Sequence, residues 1–150
     1  MERKVELVEK LSHLLSDVVT ARAIAQGYHW NVKGVEFTQM HDFFGEIYED
    51  FESAVDPLAE YIRKLGYDSP YFLTDFTEMT CLGDEPRLFG DCVEMLESLL
   101  NINNTLNACV LGAFQLADAC NEQGIADFLA GRDDMHKRWS WQLRSSLGTR

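Results

Sequence analysis

The sequence predicts an all-α fold: a four-helix bundle whose second and third helices are joined by a long crossover carrying a short extra helix. Three observations predict it. Apolar residues recur at helical spacing along most of the chain. Only three prolines interrupt it, Pro57, Pro70 and Pro86. One 21-residue stretch, GYDSPYFLTDFTEMTCLGDEP at 66–86, is too long for a hairpin turn and too aromatic for a floppy linker. A bundle whose second and third helices run parallel needs such a connector.

The first helix carries Leu7, Leu11, Leu14, Val18, Ala25 and His29 on one stripe, with Val8 and Leu15 beside it. The second runs from about Val35 to Leu65, with Phe37, His41, Phe44, Tyr48, Phe51, Val55, Leu58 and Ile62 in phase. In the crossover, Phe72, Leu73 and Phe76 predict a short helix packed on the bundle. The third helix starts with Asp84 or Glu85 as its cap and Pro86 in its first turn, where a missing N–H is harmless. It continues through Leu96, Leu100 and Leu111 to about Cys120. Gly124 marks a break, and the fourth helix runs from about Ile125 to Leu147. Tight turns join the first helix to the second and the third to the fourth. No internal repeat or low-complexity segment interrupts this pattern.

A chain of 150 residues, 46% hydrophobic and 11% aromatic, is expected to fold as one domain over 1–150. No apolar run reaches the roughly 18 residues that span a membrane, and MERKVELVEK does not read as a signal peptide. The expected location is cytoplasmic. Cys81, Cys92, Cys109 and Cys120 are widely spaced with no CxxC pair, so small buried thiols are expected rather than disulfides or a zinc site. A net charge of −12 repels phosphate and suits cations. With no Lys/Arg-rich tail, and Arg144 and Arg150 as isolated positives, direct DNA binding is not expected.

QGYHWNVKGVEFTQMH, at 26–41, puts His29 and His41 on either side of a break containing Gly34. In an antiparallel hairpin the two imidazoles sit at similar heights and can face one small volume. Two readings stay open: hydrogen-bonded core histidines, or metal ligands. Carboxylates that would balance a metal's charge occur in DPLAE, where Asp56 and Glu60 are four residues apart on one helix face. Asp56 can equally be a cap for a helix starting at Pro57. It lies 15 residues beyond His41, roughly 22 Å along a helix axis, so one chain cannot bring all four groups together. Two second helices packed antiparallel about a twofold axis near Tyr48 or Glu49 can, giving two identical shared sites. A site inside one subunit would use Glu-x-x-His on two helices. The nearest match is Asp133-x-x-His136, which disfavours that design.

HWNVKGVEFTQMHDFFGEIYEDFESAVDPLAEYIRKLG, at 29–66, resembles the signature region of the Dps proteins, the miniferritins. SPYFLTDF resembles their crossover helix and RDDMHKRWSWQLRSSL their last helix, so the resemblance covers nearly the whole chain. It implies a ferritin-like dodecameric shell that stores iron, protects against oxidative damage and has ferroxidase sites at twofold interfaces. Fe²⁺ is the substrate, hydrogen peroxide the expected oxidant and Fe³⁺ the product. The family's ligands fall on His29 and His41 of one subunit with Asp56 and Glu60 of its partner. Trp30 matches a tryptophan beside the site, where an indole can intercept oxidising equivalents or act as a packing anchor. Asp127 matches a pore acid, with Glu122 as companion; the simpler role is a solvated helix start. The family often has a further aspartate where this chain has Gly45, so a second iron position lacks a ligand or borrows Glu49 or water. Pro57 is unusual within the ligand pair and is expected to tilt Asp56 relative to Glu60.

Overall fold

The structure, a computed structural model, describes residues 2–149, so Arg150 lies outside the described residues. The helices are α1 (Glu2–Asn31), α2 (Phe37–Ser53), α3 (Val55–Lys64), α4 (Leu73–Met79), α5 (Cys92–Ala119) and α6 (Gln123–Ser146). The bundle consists of α1, the broken rod α2–α3, α5 and α6, and α4 is the crossover's short helix. α1 packs against α2, α3, α4 and α5, and α5 packs along α6. This is the architecture the sequence predicts. Among the described residues no helix is long and apolar enough to cross a membrane.

The helical stripes become the core. Leu7, Leu11, Leu14, Phe44, Phe51, Leu58 and Ile62 are essentially inaccessible, facing Leu99, Ile102, Leu106 and Leu129. The α5 stripe runs through Leu99, Leu106, Val110, Ala113 and Ala117, while Leu111 faces outward at 40% exposure. Of the three apolar residues expected to pack there, only Phe76 reaches the core, while Phe72 and Leu73 lie open; Leu82 and Tyr67 also pack on the core from the crossover. A helix of one or two turns can bury only a narrow strip.

Four local details differ from the sequence expectation. The second helix is broken at Ala54, and Pro57 is the cause. It has no N–H for the Ser53 carbonyl, and its ring crowds that carbonyl. The chain tightens there, with the Ala54 N–H donating to the Phe51 carbonyl at 3.1 Å before α3 resumes. The third helix starts at Cys92 rather than near Pro86. Gly90 takes φ +98°, outside the helical region, and Asp91 caps α5 by accepting from the Glu94 amide at 3.0 Å. Gly124 sits inside α6, and the break falls at Asn121, whose φ of 59° is tolerated by asparagine. The cysteines are free but not uniformly buried: Cys81 is exposed and the other three are half-buried.

Candidate metal centre

The turn between α1 and α2 sets the first half of the site. Gly34, at φ +115°, reverses the chain, and the Phe37 amide donates to its carbonyl at 3.0 Å. The hairpin brings His29 and His41 face to face, with ring centroids 3.8 Å apart and planes 12° from parallel. Nδ1 of His29 lies 2.5 Å from the His41 carbonyl, and Nδ1 of His41 lies 2.6 Å from the His29 carbonyl. A carbonyl can only accept, so each Nδ1 carries the proton and donates. When the ring is neutral, this bond selects the tautomer with Nδ1 protonated and leaves Nε2 as a lone-pair donor. Metal-binding histidines are commonly oriented this way by a carbonyl behind them. Both rings are half-buried, with Phe37 stacked on His41 and Tyr48 tilted against His29.

Gly45 lies behind the pair. A Cβ there would come within 3.0 Å of Cε1 and Nδ1 of His29. The absent side chain is the space the His29 ring occupies. Trp30 is 64% exposed beside the pair.

Asp56 and Glu60 are exposed on α3. Asp56 is not a cap: the N-cap of α3 is Ala54, and no side-chain cap bond is made. Nothing in the described hydrogen bonds or ion pairs occupies either carboxylate. Among the described residues no group of three or more His, Cys, Asp and Glu side chains that could hold a metal ion forms within one chain. The structure thus brings the histidines together and leaves the carboxylates apart from them. Glu122 is half-buried at the N-cap of α6 without capping it, and Asp127 is exposed one turn later. Glu49, the possible substitute donor, is also exposed.

The polar groups inside the bundle are committed to one another. Arg132 on α6 donates from Nη1 and Nη2 to both oxygens of Asp50 on α2, at 2.9 and 2.8 Å. The Trp139 indole N–H adds a third bond to Asp50, at 2.7 Å. Burial pushes the Asp50 carboxyl up, but the guanidinium and the indole outweigh it and hold it below its ordinary value. His136 is 1% exposed, and burial, reinforced by the Arg132 charge, pushes it down to about 3. It is neutral, donating from Nδ1 to Asn103 Oδ1 at 2.8 Å, while Asn103 donates to the His136 carbonyl and the Ser140 hydroxyl. Asp133 turns away toward Asn107 and Lys137. Sequence reasoning missed this network. The only trace in the sequence is that Asn103 falls in phase with Leu99, Leu106 and Val110, and Arg132 with Leu129, Trp139 and Leu143.

The comparisons with known proteins agree with this anatomy. The ferritin-like domain profile matches residues 8–149. An uncharacterized low temperature-induced protein of Nostoc is 28% identical, over 97% of this chain and 82% of the relative. A DNA protection during starvation protein of Helicobacter pylori is 35% identical over 92 residues, 61% of this chain and 64% of the relative. The crystal structure of the Dps protein of Vibrio cholerae, described as a member of a broad superfamily of ferritin-like diiron-carboxylate proteins, superposes with a TM-score of 0.91. It is 22% identical, with 97% of this chain and 91% of that one covered. The chain belongs to the ferritin-like domain family.

Proposed function

We propose that this protein is a miniferritin that oxidises Fe²⁺ at sites shared between two subunits and stores the Fe³⁺ product inside a closed shell. The observation that carries the reading is the reciprocal imidazole–carbonyl clasp. It leaves two Nε2 lone pairs on a half-buried surface, with uncommitted carboxylates at i, i+4 on the same rod but about 22 Å away. An antiparallel twofold pairing of α2–α3 rods brings Asp56 and Glu60 of one copy level with His29 and His41 of the other. Two neutral imidazoles and two carboxylates then offer Fe²⁺ four donors and two balancing charges.

Two Fe²⁺ ions give up two electrons to one hydrogen peroxide, which takes two protons and leaves as two waters. Paired electron delivery avoids hydroxyl radical. The carboxylates hold the substrate charge, and the imidazoles hold geometry through their fixed Nδ1 protons. Protons compete with Fe²⁺ for the imidazoles, so binding weakens as pH falls. Trp30 lies beside the reacting centre and can take a stray oxidising equivalent. The shell is a dodecamer in this reading, and the acidic surface concentrates cations at its entrances, with Glu122 and Asp127 on that path.

Subunit mixing tests the sharing. His41→Ala and Asp56→Asn are each expected to abolish rapid peroxide-driven Fe²⁺ oxidation. Dissociating and reassembling the two variants together should restore about a quarter of wild-type sites, because half the random dimers are mixed and each mixed dimer keeps one intact site. No recovery in reassembled shells would exclude a two-chain site. Asp127→Asn tests the entrance. Iron uptake should slow with the assembly unchanged by light scattering, and undiminished uptake removes Asp127 from the path.

A further inference from the structure

A carboxylate fastens the end of the crossover to the bundle. Asp17, on α1 and only 3% exposed, accepts through Oδ1 from the Thr80 hydroxyl at 2.7 Å and from the Cys81 amide at 2.8 Å. Its other oxygen faces α5, where Cys109 Sγ lies 3.9 Å from Oδ2. Two cysteines 28 positions apart in sequence thus converge on one carboxylate, Cys81 through its backbone amide and Cys109 through its thiol. Both are free, and Cys81 opens to solvent. Neither the proposed iron site nor the interior network uses any of these three residues.

We propose that Cys81 and Cys109 are a disulfide-competent pair that hydrogen peroxide closes, stapling the crossover to α5, and that Asp17 is the brake on closure. The chemistry balances in two steps. A thiolate sulfur attacks one peroxide oxygen, the O–O bond breaks, and hydroxide leaves and is protonated to water. The resulting sulfenic sulfur is attacked by the second thiol, the S–S bond forms, and the S–O oxygen leaves as a second water. In sum two thiols lose two electrons and two protons to one peroxide. No iron is required, so the pair works whether or not the shared site does.

The brake is electrostatic. Burial, then the Asp17 charge, push the Cys81 thiol up to about 11. Burial and Asp17 also push Cys109 up, against an opposing pull from Lys10. Only a thiolate attacks peroxide. The pair therefore stays reduced in brief exposure and closes under sustained exposure.

The test uses the assembled, iron-free protein with a chelator present, treated with hydrogen peroxide at pH 7, alkylated, digested and read by mass spectrometry. The expected product is a peptide pair linked through residues 81 and 109, lighter than the two thiol peptides by two hydrogens, while Cys92 and Cys120 take up the alkylating label. Asp17→Asn keeps an acceptor oxygen and removes the charge. It should speed linkage several-fold for each unit by which the attacking thiol becomes more acidic, the gain in thiolate outweighing its lower nucleophilicity. Over-oxidation of Cys81 or Cys109 without linkage, linkage to Cys92, Cys120 or another subunit, or an unchanged rate in folded Asp17→Asn overturns the proposal. Cys109→Ser decides the matter if Asp17→Asn does not fold. Cys81 should then stop at a sulfenic acid trapped by dimedone, and any cross-link through Cys81 in that variant overturns the pairing.

Discussion

His29 and His41 each use their two ring nitrogens for different ends, one to close the hairpin and one to face outward. Their pairing was legible in the sequence because both fall on apolar stripes at matched heights across a glycine turn. The role of Gly45 was not. A glycine in a helix reads as weak propensity, costing roughly 1 kcal/mol against alanine. Only the ring's approach explains it, since a Cβ would press on His29 at 3.0 Å. Gly45→Ala is therefore expected to keep or slightly raise helix stability while tilting His29 off its carbonyl. Anaerobic titration with Fe²⁺ should show affinity about 10–100-fold weaker, the usual effect of disturbing a ligand's supporting shell. Unchanged affinity would mean the ring yields without consequence for binding. Asp56 was ambiguous in sequence between cap and ligand. The helix start at Val55, capped by Ala54, takes the cap role away.

Among the elements, the number and order of helices followed from periodicity, and the boundaries depended on details periodicity does not hold. Pro86 is compatible with a first helical turn, yet the helix waits for Asp91, because Gly90 at φ +98° leaves the helical path just before it. The α2–α3 break was visible in Pro57 itself, but its form, a tightened turn at Ala54, belongs to the folded rod. Pro57→Ala should let α2 run into α3, recovering a hydrogen bond to Ser53 and raising stability by about 1–3 kcal/mol. In the proposed shared site, the same change would re-aim Asp56 and Glu60 relative to the partner's histidines. Denaturation midpoints and single-turnover Fe²⁺ oxidation together should show a more stable rod with a slower site. A faster site would mean the kink is not part of the productive geometry.

The whole molecule is tied together through its middle by one polar network reaching α2, α5 and α6. Its members were hidden in sequence because a buried polar residue looks like a solvated one until the helices pack. The network also sets the acid response. His136 is neutral in the folded protein down to about pH 3, whereas an unfolded chain takes its proton at about 6.5. At neutral pH neither state is charged and nothing is lost. Between about 6.5 and 3 the unfolded state binds the extra proton, so folding free energy falls by up to about 1.4 kcal/mol per pH unit from this group. Asp50, held below its ordinary 3.8, adds to the loss only as pH drops beneath that value. Urea midpoints from pH 7 to pH 4 should decline in wild type and decline less steeply in His136→Gln. Equal slopes would shift the acid sensitivity to other groups.

The open indole of Trp30 gives the subunit an intrinsic optical label. With 64% of its surface in water, it should emit at long wavelength in a lone chain. The proposed twofold partner, in covering His29, would cover this ring as well and move the emission toward the blue. In a Trp141→Phe variant, which removes the similarly open second indole and leaves buried Trp139 as a constant background, the colour of tryptophan light would follow shell assembly in real time, without dye or tag.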